Sequence, residues 1–315
     1  FIEIKKNTTL FNIINKIGSI ELIGWKNFKK YTFINKLLKL LNLFKIIINL
    51  SCSKNRIIHF RYLEIFPWNI IYYLNKKNTI LFESDCWGYK EKVTEIFYNF
   101  RTDKEKSDLL NNYGMLAYFG SKWPQLSHAK VNKKRIFNLS STREFSCWRD
   151  ETKKELNNIL EKKPAWSISK NNGILFILGW LGHSHMYDKN VKGEELFSET
   201  IDILLYETNL NIILKPHATT DMTKIDFIIN ELYKKRLFNK NRIFIEYNHI
   251  AVLSGFFNVT ISNYPSLTMA DAKIAGSNVI EYSDYSNIAK KLCNNSSLYK
   301  EYVHYYINRD PSVLK

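Results

Sequence analysis

Two hydrophobic periods alternate along most of this chain. Short apolar runs rich in Ile, Leu, Val and Phe are separated by longer stretches whose apolar residues recur every three or four positions. That is the pattern of parallel strands joined by crossover helices. In the first half, SIELIGW (19–25), RIIHF (56–60) and NTILFES (78–84) read as strands. Helical spacing fills 33–50, the stretch LEIFPWNIIYYLN and the stretch KEKVTEIFYNF. From about Tyr113 to Ser169 the pattern weakens, apart from a helix over DETKKELNNILEKK that Pro164 ends.

The second half is more regular. GILFILGW (173–180), LNIILKPH (210–217), NRIFIEY (241–247), NVTISNY (258–264) and SNVIEY (277–282) predict strands. Helices are predicted over 193–207, over 224–235, briefly near HIAVLSGF, and over 266–276, where Gly276 supplies the C-terminal stop. This order predicts an α/β protein with two doubly wound sheets in tandem, one in 1–160 and the other in 161–315.

Composition narrows the picture in three ways. A chain of 315 residues with 45% hydrophobic content is long enough for two packed cores and too apolar for a disordered segment. The net charge of +16 comes from Lys and Arg scattered along the whole chain, which fits general attraction to anions. A nucleic-acid role is not expected, since the sequence has no recognition-helix, zinc-finger or ribonucleoprotein motif. Cys52, Cys86, Cys147 and Cys293 are far apart and read as free thiols of a reducing compartment, so a cytoplasmic setting is expected. No secretory leader pattern is read at Phe1, which is not a methionine.

The segment FINKLLKLLNLFKIIINL (33–50) is interrupted by Lys36, Lys39 and Lys45 and reads as amphipathic rather than membrane-spanning. Two readings stand: a helix facing the core, or a basic helix on the anionic inner face of a membrane.

In open parallel sheets ligands sit beyond the carboxyl ends of the strands, so the residues after each strand carry the candidate chemistry. At the end of 173–180 and just beyond it come Gly179 and Gly182, which let a backbone approach a phosphate closely or simply shape a loop. His183 and His185 follow two apart, but no Asp, Glu or Cys stands at a metal-ligand spacing from them. The next strand ends on Lys215-Pro216-His217, where Pro216 stops the ladder and His217 is either a cap or an anion donor. The strand at 258–264 hands over to a helix start bearing Ser266 and Thr268, with Asp271 a turn further on. Helix starts present unpaired N–H groups and suit phosphate, although Ser266 also reads as an ordinary N-cap.

With LKPHA, ISNYPSLTMADAKIAG and VIEYSDY in this order, residues of roughly 170–290 resemble the C-terminal donor-binding domain of GT-B glycosyltransferases. The likeness is to bacterial capsule and surface-polysaccharide enzymes with a Lys-Pro-His strand end, such as sialyltransferases, Kdo-transferases and teichoic-acid polymerases. It implies two Rossmann-like domains facing a cleft. It also implies that Lys215 and His217 meet the donor phosphate, that Ser266 and Thr268 hold it, that Asp271 serves a ribose or the helix, and that Glu281 lies near a nucleotide base. Ala218 replaces a second proline often found after the histidine, and the paired serines are spread over Pro265-Ser266-Leu267-Thr268. These departures leave the nucleotide open, with CMP or UDP as the first candidates.

The resemblance places the catalytic base in the N-terminal domain. Asp85, then Glu83, both near the carboxyl end of the strand at 78–84, are the candidate carboxylates that take a proton from the acceptor hydroxyl. Asp85 reads equally as a helix cap. His59 and Arg61 are candidates for an anionic acceptor, with Arg143 and Arg149 behind them. No cofactor and no metal are expected: the chain has no Asp-x-Asp pair, and the co-substrate is a nucleotide sugar. The partner is then a glycan or glycolipid acceptor. Alternative readings are a polyol-phosphate transferase, a nucleotide-sugar epimerase, or a non-catalytic glycan- or nucleotide-binding protein.

Overall fold

A computed structural model describes residues 32–52, 57–60, 79–83, 116–118, 136–138, 142–168, 173–179, 181, 187, 191–217, 220–235 and 240–314. The chain divides into two compact units between Thr142 and Arg143. The division falls within the 139–173 stretch where the sequence pattern changes, and helix α2 (Ser146–Glu161) groups with the later unit by packing on one of its helices.

In the first unit, helix α1 (Phe33–Cys52) precedes four short strands, β1 (Ile57–Phe60), β2 (Thr79–Glu83), β3 (Leu116–Tyr118) and β4 (Ile136–Asn138). They form a parallel sheet in chain order. The strand expected over 19–25 and the helices expected over 63–75 and 90–100 lie outside the described residues. β3 and β4 fall in the stretch where the sequence pattern is weak, and each is only three residues long.

The second unit is built on six parallel strands: β5 (Gly173–Ile177), β6 (Asn211–Lys215), β7 (Ile243–Ile245), β8 (Val259–Ser262), β9 (Asn278–Ser283) and β10 (Tyr305–Asn308). Their order across the sheet is β10-β9-β8-β5-β6-β7. The chain winds outward from β5 through β6 to β7, then crosses back and winds outward again through β8, β9 and β10. Such an order is compatible with a Rossmann-like fold, whose strands run 3-2-1-4-5-6. β10 lies beyond the strand expected to be last.

β5 is central because nothing in it needs water: all five residues, GILFI, are buried, as a strand covered on both faces requires. Ile174, Phe176 and Leu178 point to one face and meet α3 (Gly193–Glu207) and α4 (Met222–Lys235) through Phe197, Ile201, Leu204 and Ile225. α3 carries Glu194 and Glu195 in its first turn, where carboxylates suit the helix dipole. Two shorter helices, α5 (Ile250–Leu253) and α6 (Thr268–Ile274), pack on each other; α6 lies on β8 and β9, and α2 lies on α5. α6 stops as expected. Gly276 has φ +94°, its N–H bonds to Lys273 O, and Ser277 N–H bonds back to Ala272 O, the paired bonds of a Schellman motif.

Between β6 and β7, Arg242 ties the connection to α3. Its guanidinium donates to the carbonyls of Leu205 (3.1 Å), Thr208 (2.6 Å) and Leu210 (2.8 Å).

Phe176→Ala tests this core. Phe176 is fully buried and meets Phe197 edge to face at 5.7 Å. Denaturant unfolding is expected to show a loss of about 3–5 kcal/mol.

Candidate functional site at the carboxyl edge of the second sheet

Because all six strands are parallel, their carboxyl ends share one edge. The winding reverses between β5 and β8, and a ligand crevice is expected outside that pair. The register aligns Lys215 with Ile177 and Ile177 with Ser262. The tips of β6 and β8 are therefore not adjacent, as the sequence suggested; they flank β5, about two strand spacings or 10 Å apart.

At this point the loop after β8 packs closely on the end of β5. A Cβ built on Gly179 would lie 2.3 Å from the Cβ of Tyr264, in the loop after β8. Glycine is required here by that packing. The close approach seen at Gly179 is to the Tyr264 side chain. Tyr187 meets Tyr264 edge to face and donates its hydroxyl to the carbonyl of Asn263. Asn263 Nδ2 donates to Thr200 Oγ1 (2.8 Å) and to the carbonyl of Tyr282 (2.9 Å), locking the loop to α3 and β9.

To the β6 side, Lys215 ends its strand largely buried and donates from Nζ to its neighbour Pro216 O at 2.8 Å. Burial pushes the ammonium down to about 8, with the Glu246 carboxylate pulling the other way. Glu246 itself accepts from Trp166 Nε1 (2.9 Å), Tyr247 N–H (3.0 Å) and Asn248 Nδ2 (3.1 Å). Pro216 is buried and His217 is exposed where the loop begins, its carbonyl accepting from Thr220 N–H.

A histidine that sequence reasoning passed over joins this edge. His249 caps α5, accepting at Nδ1 from Ala251 N–H at 3.1 Å, which leaves the ring proton on Nε2. Its charged neighbours are Asp271, Lys215 and Arg143. Burial holds its pKa below the ordinary value, and Lys215 and Arg143 add to that; Asp271 opposes them. Neutral at pH 7, it offers an N–H donor rather than a cation. Trp148 stands edge-on to the imidazole at 5.4 Å. The signal was present in YNHIAVL, a polar residue just before a short apolar run at a strand end.

Asp271 is 4% exposed and lies 3.1 Å from Arg143 Nε, a buried ion pair that fixes the start of α2 against α6. Arg143, Trp148, Arg149, Thr152 and Ala251 border the same carboxylate around a cavity of about 180 Å³. The two arginines thus belong to the second unit.

Ser266 is not the N-cap of α6. Leu267 holds that position, and the Ser266 hydroxyl pairs with Thr268 Oγ1 (2.8 Å) while accepting from Thr268 N–H (3.3 Å). Met269 N–H bonds to Ser266 O and Ala270 N–H to Leu267 O. The first donors of the helix are thus satisfied internally, and a phosphate would have to exchange for these bonds.

Glu281 is the clearest departure from expectation. It is fully buried and accepts hydrogen bonds from the hydroxyls of Ser283, Tyr285 (2.7 Å) and Ser297. Burial raises its pKa, and the three donors offset part of that rise. Contact with a nucleotide base does not fit this enclosure; Glu281 binds β9 to the segment after it.

Of the remaining candidates, Glu83 is the last residue of β2 and His59 lies in β1 opposite Leu81, both as backbone positions only. Asp85, Arg61, Gly182, His183 and His185 lie outside the described residues. Among the described residues no cluster of three or more His, Cys, Asp or Glu side chains is placed to hold a metal. Comparison with protein-family models, curated proteins and solved structures gives no match.

Lys215 gives this edge a pH signature. Its folded pKa lies below that of a free lysine, so between about 8 and 10.5 the unfolded chain binds more protons and stability rises with pH. Lys215→Met removes the cost of burying the charge. The variant is expected to melt higher than wild type at pH 7, with the gap closing as pH rises through that window. His249 adds an acid limb of the same sign, stability falling as pH drops below 6.5.

Proposed function

We propose that the protein is a nucleotide-sugar-dependent glycosyltransferase of GT-B plan, its two units the two Rossmann-like domains. The second unit holds the donor, and the product is a surface glycan or glycolipid. One observation carries the reading: on one edge of a Rossmann-ordered parallel sheet, Lys215 and His249 share an electrostatic neighbourhood with Asp271 and Arg143, beside the Lys-Pro-His tip and the Ser266–Thr268 turn.

That edge suits a leaving phosphate. Lys215 carries its charge at a cost in the free protein, so an arriving phosphate stabilises the ammonium and raises its pKa. His249 brings a neutral N–H donor, and the exposed His217 a second imidazole at the loop. In the transfer step the bond from the sugar's anomeric carbon to the phosphate oxygen breaks, and the phosphate keeps the electron pair. The acceptor oxygen bonds to the opposite face of that carbon, giving inversion. Its proton passes to a carboxylate, for which Asp85 and Glu83 remain the candidates. Cationic and N–H groups aimed at the phosphate supply the charge stabilisation without a metal in this reading.

Two measurements test it. Thermal-shift screening with CMP, CDP, UDP and GDP is expected to raise the melting temperature with one of them, because a ligand bound only to the native state stabilises it. His217→Ala is expected to keep the wild-type melting temperature, since the side chain is exposed, and to lower transfer about 100-fold. Near-normal turnover by that variant would remove His217 from the site, and no shift with any nucleotide contradicts the donor assignment.

A further inference from the structure

We propose that α1 lies on an anionic lipid bilayer, with an apolar face of the helix seated in the interfacial layer. The helix is 20 residues long, hence about 30 Å, and its apolar arc is wider than the part the protein covers. Leu43 and Ile47 are buried against the protein. On the uncovered part Phe33, Ile34, Leu37, Leu41, Phe44 and Ile48 recur at helical spacing and are 48 to 81% exposed. A contiguous stripe of this kind on a soluble surface marks a partner.

Charge selects the partner. Residues 22 to 63 contain no Asp or Glu, and Lys26, Lys29, Lys30, Lys36, Lys39 and Lys45 lie before and within the helix. Lys45 is exposed one turn from Leu41 and from Ile48, where its aliphatic stem can cover apolar surface while its ammonium reaches outward. A second copy of the helix would bring lysines against lysines with no carboxylate between them. An anionic leaflet supplies the missing charge, worth about 1 kcal/mol for each Lys or Arg near the surface. Trp25 and Tyr31 flank the first lysines, and both residue types favour the headgroup level of a bilayer. Among the described residues no helix is long and apolar enough to cross a membrane, so the helix lies on the surface rather than spanning it.

The inference is independent of the transferase reading. Its test is flotation of the whole protein with phosphatidylcholine vesicles, with and without phosphatidylglycerol. Binding is expected with phosphatidylglycerol, weakening as salt is raised, and little binding to phosphatidylcholine alone. Phe44→Asp is expected to reduce partitioning by about tenfold or more, because an aromatic ring no longer leaves water. Lys45→Glu reduces binding only where phosphatidylglycerol is present. Both side chains are exposed, so the melting temperature and the response to nucleotides are expected to stay at wild-type values. Absence of binding to the anionic vesicles overturns the proposal, as does binding that Phe44→Asp leaves unchanged. Self-association abolished by Phe44→Asp, with no vesicle binding, assigns the face to a second copy instead.

Discussion

A lysine partly withdrawn from water at the tip of β6 sets the electrostatics of this edge of the second unit. Lys215 ends β6 beside β5, whose five residues are all buried, and its ammonium donates to Pro216 O rather than standing free in water. The nearest relief is Glu246, already committed to three other donors. The result is a partly desolvated cation whose proton is lost near pH 8, together with a histidine kept neutral by burial and by two cations. Groups of this kind are costly for folding and valuable for binding an anion, a combination typical of functional sites.

The rest of the edge is fastened by contacts among its own loops and helices. Gly179 and Tyr264 interlock across β5 and β8, and Asn263 pins the same loop to α3 and β9. The ion pair of Asp271 with Arg143 fastens α6 to the turn before α2, and α2 itself packs on α5. Glu281 does comparable work one strand further out, gathering three hydroxyls inside the protein. Most polar groups near the switch point are therefore structural, and those with chemistry to offer lie to its β6 side.

Much of this was legible in the sequence where a local rule decides the outcome. The apolar run of β5, the acidic first turn of α3 and the glycine stop of α6 each follow from residues that are neighbours in the chain. β3, β4 and β10 were not read as strands: β3 and β4 are three-residue strands in the stretch where the apolar pattern weakens, and the four residues of β10, YYIN, show no clear alternation. The site was read in part. Lys215, Pro216 and His217 do end a strand at the expected edge, but the placement of β6 and β8 on either side of β5 is a property of winding order, not of local sequence. Glu281 was misread for a similar reason: its position at a strand end is visible, whereas Ser297 and Tyr285 closing over it is not. His249 escaped notice although its short helix was read, because the charged groups around it, Lys215, Asp271 and Arg143, are distant in sequence.

Selective isotope labelling of lysine allows the Lys215 amine to be titrated by NMR, assigned through Lys215→Met, in the free protein and with the nucleotide that stabilises it most. A phosphate bound at this edge must move the titration upward from about 8 toward the ordinary lysine value of 10.5. A bound nucleotide that leaves the Lys215 titration where it was would contradict the account, because the phosphate would then rest elsewhere.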